Sequence, residues 1–218
     1  MGFLYFFETT MDFHGTNSQE HIDTCLSTYK AFTESHLGQT EGGIRQLWKI
    51  PGEHKLIGVV SVDSPGELDT LINFTLKRSL GDKISTVFTP LRPYQDFAAT
   101  VGATDKTPVE CAPKAGLHYL LTATVEYQGM SQEELFKIWS EEATAALDAK
   151  KSGTILDLWK VVAQRKVIVI ICVDDPGDLD QISFDLPIMK KMGDQVHITC
   201  KSIRHVTEWI DELKKQIE

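Results

Sequence analysis

The chain has 218 residues, a formal net charge of −9 and 42% hydrophobic residues, which suits a globular protein with a substantial core. The acidic balance and the lack of any long Lys or Arg run argue against a nucleic-acid partner. The apolar N-terminal run stops at Glu8, too early for a signal sequence or membrane span, so no membrane partner is expected. Four widely spaced cysteines without a CxxC pair favour a reducing, cytoplasmic location.

The predicted elements follow the same order twice along the chain. The first half has a β-rich run (3–10), a helix, a strand carrying Leu-Trp-Lys, an apolar strand (56–62), a helix after an Asp-x-Pro-Gly turn and a closing strand (84–91). The second half repeats this order, and a polar, amphipathic helix ends the chain. The predicted boundaries are a first repeat at 1–97, a linker at 98–116, a second repeat at 117–205 and a C-terminal helix at 206–218.

Two shared motifs indicate an internal duplication. Trp48 and Trp159 both stand in Leu-Trp-Lys, 111 residues apart. The same offset places Asp63-Ser64-Pro65-Gly66 on Asp174-Asp175-Pro176-Gly177. Because Trp and Pro are uncommon, two such matches at one offset are hard to obtain by chance.

The order β-α-β-β-α-β in each half predicts an α+β fold of two tandem ferredoxin-like domains. The strand at 167–173 is apolar at every position, as expected for a strand buried on both faces. The economical cover for its second face is the other repeat. We therefore expect the domains to pack sheet to sheet as a pseudo-dimeric α+β barrel that encloses a small-molecule pocket, with a filled core between the sheets as the alternative.

The repeated segment resembles the muconolactone isomerase family. The resemblance lies in Leu-Trp-Lys-Ile/Val, in the apolar strand ending Val-Asp-x-Pro-x-x-Leu, and in Leu186-Pro187-Ile188 of the second repeat. It implies a dimeric α+β barrel, proton transfer on a lactone without a cofactor, and assembly into homo-oligomers. Members of the family are single copies, whereas this chain carries two.

The resemblance also implies an acid/base residue. The family has a Glu on its first helix, seventeen residues before the Trp, and Glu142 stands at this distance from Trp159, beside Glu141. The same count from Trp48 reaches Ala31, so only the second repeat keeps the carboxylate. A carboxyl group in a dry barrel would have a raised pKa, suited to proton transfer. The alternative is that both glutamates are ordinary solvated helix residues.

Four basic residues are candidates for substrate binding. Lys49 and Lys160 follow the Trp of each repeat and could hold a carboxylate or an enolate oxygen, or could be edge residues whose stems cover apolar surface. His54 and Arg165 stand six residues after each Trp, in predicted hairpins. His54 could carry a proton and Arg165 could bind an anion at the barrel mouth, although hairpin residues are commonly exposed.

Aromatic side chains could line the pocket or could simply be core. The candidates are Tyr5, Tyr119, Trp48 and Trp159. The histidines show no metal-ligand spacing, and no nucleotide-binding loop or serine nucleophile motif occurs, so neither a metal nor another cofactor is expected.

Two functions remain open on these grounds. The first is a cofactor-independent isomerase, or a related lyase or cyclase, acting by proton transfer on a small lactone, enol or carboxylate. The second is a non-catalytic small-molecule-binding or assembly protein that kept the barrel and lost the chemistry, as the missing glutamate of the first repeat suggests. A cofactor-free monooxygenase of related barrel shape is a third idea, which oxygen dependence would separate from the first.

Overall fold

The computed structural model describes residues 2–12, 18–34, 43–104, 108–112 and 114–216, without the side chains of Ser18 and Ser79. The α+β class is confirmed. In chain order the elements are β1 (Phe3–Met11), α1 (Ser18–Thr33), β2 (Gly43–Ile50), β3 (Lys55–Val62), α2 (Gly66–Thr70), α3 (Lys77–Leu80), β4 (Ile84–Pro93), α4 (Tyr94–Thr100), β5 (Leu117–Val125), α5 (Gln132–Lys151), β6 (Ile155–Val161), β7 (Lys166–Val173), α6 (Gly177–Asp185), α7 (Pro187–Met192), β8 (Val196–His205) and α8 (Val206–Lys214).

The chain divides into two compact units. Unit 1 comprises residues Met1–Leu91 and Ile203–Glu218, and unit 2 comprises Arg92–Ser202. In unit 1 the strand order is β4-β1-β3-β2, and all pairings are antiparallel. At the far edge, Arg204 and His205 at the end of β8 pair with Lys49 and Trp48 of β2. A π-helical turn (Leu71–Leu76) joins α2 to α3.

Unit 2 has the matching strand order β8-β5-β7-β6. The β5–β7 and β6–β7 pairs are antiparallel, and β6 carries an irregularity between Ile155 and Asp157, as β2 does between Ile44 and Gln46. Both units therefore show the order β-α-β-β-α-β and the strand arrangement of the ferredoxin-like plan.

The helices that follow the two closing strands do not coincide with the predicted domain boundaries. Helix α4 begins inside the predicted first repeat and ends in the predicted linker, yet its Tyr94 and Phe97 belong to the core of unit 2. Helix α8 follows β8 but packs its Val206 and Ile210 into the core of unit 1. Both helices are amphipathic, so each joins the core that covers its apolar face. Of the predicted linker, residues 105–107 and 113 lie outside the described residues.

Strand β7 is apolar from Val167 to Val173, and both of its faces are shielded. Ile168, Ile170 and Cys172, on one face, are at most 4% exposed. Val167 and Val169, on the other, face the pocket described below. This matches the sequence pattern of a strand buried on two sides. None of the helices in the described part of the chain is long and apolar enough to span a bilayer.

Candidate functional site

Unit 2 contains an apolar pocket between its sheet and its helices. Its cavity volume is about 100 Å³, and nearly all of its lining surface is apolar. The floor comes from alternate residues of β5 and β7, and the cover from α4, α5 and the α6–α7 region. A cavity of this size lies below the ~300 Å³ at which pockets for drug-sized ligands begin. The pocket therefore suits a compact molecule.

The cross-strand pair next to this space differs between the two units. In unit 1 it is Phe7 and Gly58, and a side chain at Gly58 would come within 2.6 Å of the Phe7 ring. Phe7 also stacks on Phe32 of α1, with ring centroids 4.8 Å apart. The equivalent pair in unit 2 is Leu121 and Val169, and both line the pocket. In unit 1 a strand ring therefore stacks on a helix ring, whereas in unit 2 the strand side chains at this place are aliphatic.

Glu142 is brought to the pocket by the register of α5. A capping box fixes the start of this helix, since the Ser131 hydroxyl accepts from the Glu134 N–H and the Glu134 carboxylate accepts from the Ser131 N–H. Residues at spacings of three and four share a helix face, so Trp139, Glu142 and Ala146 all reach the pocket.

The Glu142 carboxyl group is largely desolvated. Burial raises its pKa above the ordinary value for Glu. A hydrogen bond opposes this shift, because Glu142 Oε2 accepts the backbone N–H of Ile188 at 3.0 Å, which favours the charged form. Since desolvation is the larger effect, the group is a stronger base than an exposed glutamate.

Glu141 lies outside this pocket. Its carboxylate forms an ion pair with Lys191 at the surface, where both side chains are about 40% exposed. The two adjacent glutamates therefore have different surroundings, and only Glu142 lines the pocket.

Lys160 and Arg165 line the same pocket as Glu142. The Lys160 ammonium donates to the carbonyl of Val161 at 3.0 Å and to that of Gln164, and it lies 5.7 Å from the centre of the Phe97 ring. Burial and, less strongly, the charge of Arg92 lower the pKa of Lys160. An ammonium has three donors, and the described carbonyl contacts use two of them.

Arg165 lies where the pocket meets solvent, with its side chain 46% exposed. It donates to the Glu126 carboxylate at 2.8 Å and stacks over the Tyr127 ring at 4.1 Å. These contacts hold the guanidinium in place and partly neutralise it.

Lys49 and His54 belong to unit 1 and do not contribute to this pocket. Lys49 repeats the contacts of Lys160, since its ammonium donates to the carbonyls of Ile50 and Glu53 and lies 5.3 Å from the centre of the Trp209 ring. The shared pattern shows that the Lys of Leu-Trp-Lys closes the following hairpin in both units. His54 is exposed, and its ring centroid lies 5.3 Å from that of His21.

The four aromatic candidates also lie outside the unit 2 pocket. Trp48 packs on the His205 ring at 4.3 Å, and Tyr5 makes an edge contact with Phe88 at 6.4 Å, both in unit 1. Trp159 is buried on the face of β6 opposite Leu158 and Lys160, which do line the pocket. Tyr119 is half-buried on β5, two residues before Leu121.

Sequence reasoning missed the aromatic residues that do line the pocket: Tyr94, Phe97 and Trp139. Trp139 could have been found from its spacing of three residues before Glu142 on the same helix. Tyr94 and Phe97 gave no such signal, because they follow the closing strand of the first repeat. Among the described residues, no group of three or more His, Cys, Asp or Glu could hold a metal ion.

The fold and the pocket define an α+β protein built to hold a small molecule. Residues 117–201, which carry most of the pocket, match the model of the muconolactone delta-isomerase family. This confirms the resemblance drawn from Leu-Trp-Lys and Leu186-Pro187-Ile188. No curated protein sequence matches the chain.

Solved structures of the dimeric α+β barrel superfamily share the fold of the whole chain. A mutant chlorite dismutase from Candidatus Nitrospira defluvii is 12% identical, with 97% of this chain and 94% of that chain covered and a TM-score of 0.62. A heme-binding protein from Thermus thermophilus is 11% identical, with 98% and 95% covered and a TM-score of 0.60. A proposed monooxygenase from Lactobacillus acidophilus is 8% identical, with 94% and 95% covered and a TM-score of 0.54. At these identities the likeness shows the fold alone.

Proposed function

We propose that unit 2 is a cofactor-independent isomerase, or a related lyase or cyclase, that moves a proton on a small lactone, enol or carboxylate. The observation that carries the proposal is the Glu142 carboxyl group in an otherwise apolar pocket. The match of residues 117–201 to the muconolactone delta-isomerase family supports the same reaction class.

Glu142 is the acid/base group in this proposal. Moving a double bond next to a carbonyl requires removal of an α-proton and return of a proton at another carbon, and one carboxylate can do both. The raised pKa of Glu142 makes it a better proton acceptor than an exposed glutamate. The base must be ionised to act, so kcat/KM should rise with pH as Glu142 titrates above the ordinary range of Glu.

Lys160 and Arg165 supply positive charge on the same pocket. A cation close to a developing enolate oxygen or a substrate carboxylate stabilises the negative charge. Because Lys160 is half-buried and Arg165 half-exposed, Lys160 would act on the reacting part of the substrate and Arg165 on a substituent that points to solvent.

Haem, which one neighbour of this fold is described as binding, does not fit the unit 2 pocket. Haem iron takes His, Cys, Met or Tyr as its protein ligand, and among the described lining residues only Tyr94 is of these types. Burial raises the pKa of Tyr94 strongly, so its phenolate form is disfavoured. The cavity of about 100 Å³ is also too small for a macrocycle. The proposed reaction therefore uses side chains alone.

The test is Glu142→Gln against its neighbour Glu141→Gln. The probe is α-angelica lactone, whose double-bond shift is followed by ultraviolet absorbance. Glu142→Gln should lower the protein-dependent rate by about 10²–10⁴-fold, while Glu141→Gln, altered at the surface, should retain it. Equal rates in Glu142→Gln and the wild type would exclude the mechanism.

The second candidate, a binding protein without catalysis, is favoured by two contacts. The Glu142 carboxylate already serves a structural purpose, since it links α5 to the start of α7 through the Ile188 N–H. Lys160 makes the same carbonyl contacts as Lys49, which borders no part of this pocket. Native mass spectrometry of freshly purified protein distinguishes the candidates, because a retained compound that is not converted on incubation supports binding alone.

A tandem duplication is our account of the two units. It is supported by the shared element order, the equivalent strand orders and the matching Lys49 and Lys160 contacts. The packing of the two sheets against each other stays a prediction, as does homo-oligomer formation. Light scattering coupled to size-exclusion chromatography measures the oligomeric state directly.

A further inference from the structure

Tyr94 is the most deeply buried polar side chain on the pocket wall. It is only 3% exposed and projects from α4, outside the residues that match the family model. Its hydroxyl makes no hydrogen bond with any residue that the structure describes, and its oxygen is not among the fully buried side-chain atoms that lack a partner. A small molecule can therefore reach this oxygen, and hydroxyl groups nearly always take a partner that is within reach. Because Tyr94 lines the pocket, a ligand there can supply the partner.

The protonation state of Tyr94 fixes which kind of ligand atom it meets. Burial, and less strongly the neighbouring charge of Glu142, raise the pKa of Tyr94, so the hydroxyl keeps its proton and acts as a donor. Tyr94 and Glu142 line the same pocket. A ligand that satisfies both must present an acceptor oxygen to Tyr94 and a carbon acid to Glu142.

The charges around the pocket favour a neutral compound at this end. An anionic group beside Tyr94 would face the Glu142 carboxylate in a medium that screens charge poorly. The nearby cations are partly engaged, since Lys160 uses two of its three donors on carbonyl groups and Arg165 pairs with Glu126. A carboxylate on the ligand would therefore point toward Arg165 and solvent.

We infer that Tyr94 donates a hydrogen bond to the carbonyl oxygen of a compact neutral carbonyl compound, whose α-carbon lies at Glu142. The role of Glu142 in this arrangement rests on the proposed function. Glu142 takes the α-proton as the C–H bond breaks, and that electron pair forms the C=C bond of the enolate. The carbonyl π pair moves to oxygen, where the Tyr94 O–H stabilises it. In a compound with a β,γ double bond, such as α-angelica lactone, the γ-carbon then takes the proton with the β,γ pair, the former C–H pair stays as an α,β double bond and the C=O bond reforms, which completes a redox-neutral isomerisation.

The test uses two ligands that differ only at the proposed acceptor: cyclohexanone and methylenecyclohexane, in which a CH₂ group replaces the oxygen. Tyr94→Phe removes the hydroxyl alone, and Tyr119→Phe is the matched control on the same unit. NMR titration should show about tenfold weaker binding of cyclohexanone to Tyr94→Phe and unchanged binding of methylenecyclohexane. Tyr119→Phe should change neither.

A thermal scan without ligand gives an independent readout. Removal of a hydroxyl that has no protein partner should not lower the Tm of Tyr94→Phe, whereas loss of a structural hydrogen bond would lower it. The inference is overturned if Tyr94→Phe binds cyclohexanone as the wild type does, if the wild type binds both compounds equally, or if it binds neither.

Deuterium exchange at the α-carbons of cyclohexanone separates this inference from the proposed function. Glu142→Gln should bind cyclohexanone but lose the protein-dependent exchange. Full exchange in Glu142→Gln would exclude Glu142 as the base and leave the Tyr94 contact standing on the affinities. If Tyr94→Phe exchanged deuterium normally and bound cyclohexanone as tightly as the wild type does, the Tyr94 contact would be excluded and Glu142 would stand as the base.

Discussion

The cross-strand pair of unit 1 should transfer to unit 2 only when both of its residues are copied. The perturbation is Leu121→Phe together with Val169→Gly, which reproduces Phe7 opposite Gly58. The larger ring at Leu121 would press on the Val169 side chain, and Val169→Gly removes that side chain and so relieves the clash. We therefore expect a favourable coupling free energy of about 1 kcal/mol between the two substitutions.

Each single substitution should destabilise the protein. Val169→Gly loses about 1.5 kcal/mol of buried apolar side chain and ~0.5–1 kcal/mol from glycine in a strand. Leu121→Phe alone should cost about 1–2 kcal/mol, because the ring would meet the Val169 side chain as the Phe7 ring would meet one at Gly58. Together they should cost at least about 1 kcal/mol less than their sum.

Equilibrium urea unfolding of the wild type, both single variants and the double variant gives this coupling free energy. Leu121→Phe with Val162→Gly, a change at an exposed hairpin residue, is the control and should be additive. Additivity within ~0.5 kcal/mol in the test pair would refute the steric argument.

Three further outcomes follow from local contacts. Because burial raises the pKa of Glu142, the unfolded state ionises first as pH rises, and the wild type loses stability between the ordinary Glu pKa and the raised one. Urea unfolding at several pH values should show that Glu142→Gln gains stability relative to the wild type in this pH range. Below the ordinary Glu pKa the relative stability of the two proteins should stay nearly constant. Ala163 has φ 56° where unit 1 has Gly52 with φ 76°, a left-handed conformation that favours glycine. Calorimetry should therefore show that Ala163→Gly stabilises the protein and that Gly52→Ala destabilises it, by about 1 kcal/mol each. Two effects of the same sign would contradict this. Ser131→Ala removes the cap of α5 and should cost about 1 kcal/mol in urea unfolding. Its control is Ser140→Ala in the interior of the same helix, which should cost nothing.

Strand prediction succeeded where alternation or continuous apolarity left one choice. The predicted runs at 56–62 and 167–173 differ by one residue from β3 and β7. The prediction failed at α4, which was assigned partly to a linker because its segment runs into a stretch rich in Ala, Thr, Pro and Gly. This short helix is stabilised by the packing of Tyr94 and Phe97 into the core of unit 2, and the local sequence does not contain that information.

Site residues could be predicted where their distance along the chain from a recognised motif fixes their position in the fold. Glu142, Lys160 and Arg165 were found by counting from one Trp, because helix, strand and hairpin have fixed rises, and the structure brings all three to one pocket. Trp159, the residue from which these distances are counted, was also predicted to line the pocket. It lies on the other face of β6, since neighbouring strand residues point in opposite directions. Tyr94 comes from another part of the chain, which no local count reaches.

The two units differ in what lies between sheet and helix. Unit 1 places Phe7 and Phe32 there, and ring stacking strengthens its core. Unit 2 has a pocket there, with the desolvated carboxyl group of Glu142 on its wall. An open cavity and a desolvated carboxyl group each cost folding free energy, and in the proposed function each serves the ligand. Substitutions of Glu142 that stabilise unit 2 should therefore also weaken its chemistry.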